Sequence, residues 1–228
     1  YCDLNELIAA DKEFRLSDYY EKILNCGVFD GKRYFIPVTF KMDAFMTTKK
    51  HLEENGIIID PSGWTWKDAA EIAKVFRNKN KGKEKYLFES NLSFIQMLYS
   101  SGAEFVDFKN RKTSFNSPDF IELLKAYKDI FPSICPAEVQ DRYTGMESWF
   151  NNGVCVLLAS SSSTPNSNYC MLCSFNSSFL KAFGQELEYY PYPTLKGRKA
   201  VYPVVFQTAG INSRCKAKKE AFDLVKLL

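Results

Sequence analysis

The 228 residues are 46% hydrophobic and 15% aromatic, enough apolar surface for a packed core, which excludes a disordered chain. A net charge of +3, with most lysines scattered, does not point to nucleic acid. No run of about 18 or more apolar residues occurs, so nothing reads as a membrane-spanning helix.

The pattern begins with a short helix in "DLNELIAADKEF", with Asp3 as N-cap and Leu4, Leu7 and Ile8 on one face. "KRYFIPV" reads as a strand stopped by Pro37, and "DAFMTT" as a second strand leading to a short helix that ends at Gly56. His51, beside Lys49 and Lys50 at that helix start, is expected on the surface. In "DPSGWTWKDAAEIAKVFRNK", Thr65 caps a helix, Asp68 completes the first turn, and Trp66, Ala69, Ala70, Ala73 and Phe76 form its apolar stripe. Trp64, after Gly63, has room to be exposed. Lys79, Lys81, Lys83 and Lys85 alternate with polar residues and read as a solvated loop.

"KYLFES" reads as a strand and "NLSFIQMLYSSG" as a helix closed by Gly102. "NSPDFIELLKAYKDIF" is a helix capped by Ser117, with Pro118 in its first turn and Phe120, Leu123, Leu124 and Tyr127 facing inward. "GMESWFNNG" reads as a short helix with Trp149 packed beneath it, "VCVLLAS" as a buried strand and "SSSSTPNSN" as a polar loop. "LEYYPYPTLKG" and "YPVVFQTAGINS" are strand-like. "CKAKKEAFDLVKLL" is a helix turning Ala221, Phe222, Leu224, Val225 and Leu228 inward. Apolar strands alternating with helices predict an α/β fold whose sheet is covered on both faces.

The chemistry-bearing residues are sparse. Seven cysteines at irregular spacing do not make a disulfide framework, and the Cys170–Cys173 pair lacks the second pair or the histidines that zinc needs. Cys155 reads as a small buried thiol. His51 is the only histidine, and no GxSxG, HExxH or GxxxxGK motif occurs. The shortage of the commonest acid–base residue points to binding rather than catalysis, and nothing calls for a cofactor or a metal.

Six blocks in order resemble the extracellular solute-binding proteins of family 1, the receptors of ABC sugar importers. "FDGKRYFIPVTF" is similar to that family's "DGKxYxxP" turn and strand. "PSGWTWKDAAEIAKVF" resembles its "P-x-T-W-x-E-x-x-x-x-A" helix start, and "SFNSPDFIELLKAYKDI" its "f-x-s-p-e-x-x-x-x-l-x-x-y-k-d-l" helix. "WFNNGVCVLLAS" resembles "f-x-x-G-k-a-A-M". "YYPYPTLKGR" is similar to "x-x-P-x-P-x-x-x-G", and "TAGINSRCKAKKEAFDLVKLL" to the "S-K-n-k-e-A-A" helix.

The resemblance implies a type 2 periplasmic-binding-protein fold with a mixed sheet and helices on both faces. Residues 1–42 would be part of lobe I ending at a hinge, 43–203 a nearly complete lobe II, and 204–228 the hinge return and a further piece of lobe I. Lobe I is therefore expected to be incomplete. The receptors are hinged clamps that close on a solute. The resemblance places ligand contacts at Thr39, Phe40, Lys41 and Asp43 after Pro37, at Glu89 and Asn91 after the "KYLFES" strand, at Ser160, Ser161 and Ser162 after "VCVLLAS", and at Phe206 and Gln207 on the return. On the residues alone, Glu89 reads equally as a first-turn charge, and Phe40 reads more readily as hinge core than as a stacking platform. Many sugar receptors carry "G-x-W" where this chain has "SSSST", which removes one aromatic wall, and Lys41 admits an acidic ligand.

The implied solute is a small carbohydrate, and the implied partners are ABC permease subunits. The implied location is outside the cell, on a lipid anchor lying beyond this stretch, or in a periplasm. Two other readings fit fewer residues. One is a ligand-sensing domain of a signalling protein on the same fold. The other is a glycoside hydrolase using Glu89 and Asp43, which needs two carboxyl groups about 5–10 Å apart.

Overall fold

The computed structural model describes residues 1–42, 44–60, 62–143, 150, 152–159, 186–199 and 203–227, with the backbone alone at 41, 42, 203, 204 and 206. The chain divides into two compact units, Tyr1–Met42 with Pro203–Leu228, and Asp43–Tyr202. The predicted elements at 144–149 and 160–185, and Leu228, lie outside the described residues.

The larger unit is built on a four-stranded sheet. Its strands are β4 (Ala44–Thr48), β5 (Tyr86–Phe88), β8 (Cys155–Ala159) and β9 (Leu187–Pro191), in the order β5-β8-β4-β9. β5 and β8 run parallel, with Tyr86 opposite Cys155 and Phe88 opposite Leu157. β4 is antiparallel to both of its neighbours. Every residue of β8 is buried, as a central strand covered on two faces requires.

Alternation along the strands sorts the core. Phe45 and Leu157 join Trp64, Trp66, Phe76, Phe88, Met97, Leu123 and Ile130 on one face. Met46 and Leu158 join Cys135, Val139 and Phe150 on the other, and Cys155 packs with this second cluster at the start of β8. The first face is covered by α4 (Trp66–Lys79), α5 (Phe94–Ser100) and α6 (Pro118–Ile130). The short α7 (Ala137–Gln140) contributes Val139 to the second.

The helix starts follow from local chemistry. Thr65 accepts from the Asp68 N–H while the Asp68 carboxylate accepts from the Thr65 N–H, a reciprocal capping box at α4. Trp66, Ala69, Ala70, Ala73 and Phe76 are all buried along its stripe. Ser93 and Gln96 make the same box at α5. Ser117 caps α6 by accepting from the Phe120 N–H. Between β4 and α4 lies α3 (Lys49–Asn55), capped by Thr48 and closed by Gly56 at φ 65°.

The smaller unit holds two two-stranded pairs. One joins β1 (Val28–Phe29) to β2 (Lys32–Arg33), and the other β3 (Ile36–Met42) to β10 (Pro203–Ala209). The hairpin β6 (Val106–Asp107) and β7 (Lys112–Thr113) belongs to the larger unit. In the smaller unit, α1 (Asn5–Ala10), α2 (Glu21–Leu24) and α8 (Lys218–Lys226) pack Leu4, Ile8, Leu24 and Phe222 around Ile36 and Ile211. Lys226 binds Asp11 at 2.6 Å, joining α8 to the end of α1. Gly27 is pressed against the chain, since a Cβ there would meet the Phe35 carbonyl oxygen at 2.0 Å.

Several expectations change in three dimensions. Pro37 does not stop its strand; β3 runs through it, opposite Thr208. A two-stranded pair leaves one strand edge unbonded, where a missing N–H costs nothing. His51 is buried against the Phe150 ring at 4.4 Å. Trp64 is buried too, its indole N–H donating to the Pro191 carbonyl at 2.6 Å. Leu124 and Leu224 are exposed, because each lies just off the buried stripe of its helix. Asp3 sits one residue outside the expected cap, yet its carboxylate still accepts the N–H of Asn5, as well as that of Arg33.

Candidate functional site

The strand directions fix one edge of the larger sheet. The carboxyl ends of β5, β8 and β9 lie there, with the amino end of β4. In α/β sheets this edge is where loops gather polar groups around ligands. Glu89 follows β5 directly, and its N–H donates to the Leu157 carbonyl at 3.2 Å, continuing the ladder with β8.

Glu89 is the unusual group of this edge. It is 2% exposed. Burial pushes its carboxyl up to about 7, against the lowering effect of hydrogen bonds from the Ala159 N–H and the Asn91 side chain. Oε1 has no partner among the described residues. A buried acceptor left unmatched costs about 1–3 kcal/mol, which an incoming donor recovers. α5 starts at Phe94 with Ser93 as its N-cap, so the buried Glu89 stands outside the first turn and a helix-dipole role for an exposed charge does not describe it.

The loop after Glu89 is held in shape from both ends. The Ser90 hydroxyl donates to Gln140 Oε1 at 2.6 Å, and its N–H reaches the same oxygen at 3.3 Å. The Leu92 N–H donates to the Glu89 carbonyl at 3.5 Å, and Ser93 then caps α5. Asn91 is exposed between these anchors. The structure therefore brings Glu89, Asn91 and the end of β8 together. Ser160, Ser161 and Ser162 would continue from that strand, but they and Asp43 lie outside the described residues.

In the smaller unit, Thr39 lies opposite Gln207 on β3 and β10, with Thr39 Oγ1 and Gln207 Oε1 3.4 Å apart, and both are exposed. The pairing slips between Val205 and Gln207 and again before Thr208, a bulge of the kind that redirects a side chain. Phe206 stands at that bulge, and Lys41 pairs through its backbone with Val204.

Phe40 is 42% exposed rather than packed as hinge core. It meets Tyr20 edge to face at 5.9 Å, and Tyr20 is 74% exposed. Sequence reading passed over Tyr20. Only its lack of a place in any apolar period could have marked it, because the contact with Phe40 spans twenty residues. An open aromatic pair offers the C–H faces of a sugar a surface to stack on.

Among the described residues Glu89 is the buried carboxyl of its edge, and His51, with its basicity lowered by burial, packs against Phe150 near the Gly153 turn that precedes β8, at the other end of that strand.

No family model matches the sequence. Over 119 residues, 49% of this chain, it is 28% identical to a candidate binding protein of Brucella abortus (strain 2308), of which the match covers 28%. A relative in Brucella suis biovar 1 matches to the same extent.

Solved structures match nearly the whole chain. The sugar-binding protein MalE of Xanthomonas citri superposes with a TM-score of 0.73 at 17% identity, covering 99% of this chain and 56% of that one. An ABC substrate-binding protein of Listeria monocytogenes in complex with cycloalternan gives 0.69 at 20% identity, covering 97% and 54%. An ABC transporter solute-binding protein of Agrobacterium radiobacter K84 in complex with ribitol gives 0.65 at 22%, covering 100% and 57%. The chain thus spans about half the length of these structures and has their fold, the type 2 periplasmic-binding-protein fold.

Proposed function

We propose that this chain is part of an extracellular solute-binding protein of family 1, the extracytoplasmic receptor of an ABC importer, and that it captures a small carbohydrate or polyol. The observation that carries this reading is the likeness along nearly its whole length to substrate-binding proteins, two of them in complex with cycloalternan and with ribitol. The site supports it with acceptors and donors suited to hydroxyl groups.

In this reading Asp43–Tyr202 is lobe II, and Tyr1–Met42 with Pro203–Leu228 is part of lobe I. The two places where the chain passes from one unit to the other serve as the hinge. Glu89 Oε1 accepts from a solute hydroxyl, and Asn91 and Ser160–Ser162 complete that wall. Thr39, Lys41, Asp43 and Gln207 supply the facing polar groups, and Phe206 an apolar contact. Phe40, with Tyr20, stacks on the ring. Closure about the hinge orders both walls around the solute, and permease subunits recognise the closed form. The receptor works outside the cytoplasm, on a lipid anchor or free in a periplasm, and performs no chemistry on its ligand.

A thermal-shift panel of mono- and oligosaccharides, polyols, amino sugars, sugar acids and short peptides tests this. A ligand that binds only the native state raises the melting temperature by mass action. A rise confined to one carbohydrate or polyol class supports the reading. A rise with peptides alone keeps a binding protein and discards the sugar. A flat panel contradicts the receptor.

A further inference from the structure

One stretch of the larger unit carries a strong local excess of positive charge. Residues 74–85 hold Lys74, Arg77, Lys79, Lys81, Lys83 and Lys85 against the single carboxylate of Glu84. That is a local excess of five positive charges in a chain of net charge +3, so the remainder is slightly acidic. Glu84 is already engaged by Arg142.

The surrounding acids are also occupied. On α3, Glu53 faces Lys49 at 3.8 Å and Glu54 faces Lys50 at 3.9 Å, so these pairs neutralise themselves. Lys79 extends to the Glu54 backbone carbonyl at 3.0 Å rather than to a carboxylate. The loop itself is a built turn. Asn80 is buried with its side chain donating to the Phe76 carbonyl, the Lys83 N–H returns to the Asn80 carbonyl, and Gly82 turns at φ 79°. Lys81 and Lys83 project from it into solvent.

Two apolar side chains stand beside these lysines without cover. Val75, one turn before Lys79 on α4, is 62% exposed. Ile58, two residues past Gly56, is 89% exposed, and a Cβ on Gly56 would lie 3.7 Å from the Lys79 ammonium. The whole patch lies where α4 passes into β5 and β4 into α3. This is the sheet edge opposite the one that carries Glu89.

We propose that this polybasic edge is a docking surface for an anionic phospholipid membrane, separate from the solute site. Lysines on long stems reach phosphodiester headgroups, and isolated aliphatic side chains among them enter the interfacial layer. Single-stranded nucleic acid is a poorer match, because residues 74–85 expose no aromatic ring on which bases could stack. Docking by this edge leaves the opposite edge free, so the receptor rests on the membrane with its solute site accessible.

The test is co-sedimentation of the 228-residue chain with vesicles of phosphatidylcholine alone and of phosphatidylcholine with phosphatidylglycerol. Binding is expected to the anionic vesicles only and to fall as salt is raised. At about fivefold per cation, Lys81→Glu with Lys83→Glu should lower partitioning at least about 25-fold. Ile58→Ser should lower it a further tenfold or so, and the melting temperature should hold in both. Equal binding to both vesicles overturns the proposal, as does anionic binding that survives the charge reversals. Tighter binding to soluble polyphosphate or RNA than to vesicles overturns it in favour of a polymer ligand. The solute panel, run on the same variants, reads the other site independently.

Discussion

Replacing Glu89 by glutamine should stabilise the protein at neutral and alkaline pH while leaving it nearly unchanged in acid. The side chain is 2% exposed and its carboxyl is raised from 4.5 to about 7. A raised carboxyl binds its proton more tightly in the folded state, so the folded protein loses stability as pH rises from 4.5 through 7. The loss grows from under about 1 kcal/mol at pH 5 to about 3 kcal/mol at pH 8. Glutamine keeps the shape and removes the charge, so the variant should escape this loss. For a chain of this size the gain at pH 8 corresponds to roughly 6–12 °C in melting temperature. Thermal melts of both proteins from pH 4.5 to 8.5 measure it. A constant difference across that range, or a wild-type profile flat in pH, would refute the buried state of the Glu89 carboxyl.

His51 should titrate below its ordinary 6.5, because burial against Phe150 disfavours its charged form. As the sole histidine it gives one pair of imidazole C–H resonances by NMR, and a midpoint at or above 6.5 would contradict its burial. Thr65→Ala should cost about 1 kcal/mol in urea unfolding by breaking the α4 capping box; a loss within error would mean that Asp68 alone holds the helix start. Phe76→Ala should cost about 3–5 kcal/mol, since this ring is buried in the larger core, and retention of full stability would show that the core collapses around the gap.

The sequence was most legible where a few neighbouring residues decide the outcome. Thr65, Asp68 and the stripe from Trp66 to Phe76 lie within one helix, so caps and period alone place them. The all-apolar run of β8 likewise announces a strand covered on both faces. Distance along the chain defeated the rest. Trp64 is buried because Pro191 accepts its indole N–H, and His51 because Phe150 packs on its ring. Neither partner is near in sequence. Phe40 and Tyr20 stay open through a contact that no local pattern encodes. Of the proposed site, Glu89 was named through the family resemblance, while on the residues alone it read equally as a first-turn charge. Its burial and its unmatched oxygen emerge only when β5 and β8 are set side by side.

The most direct measurement is calorimetric titration of the solute that scores in the thermal panel, on the wild type and on Glu89→Ala. A hydrogen bond to a buried carboxylate contributes about 1.5–3 kcal/mol, so truncation should weaken binding roughly tenfold or more. That loss, with the fold intact, would place the solute at the carboxyl edge of the larger sheet. Heat of binding unchanged in affinity by Glu89→Ala, or none for any solute, would contradict the account.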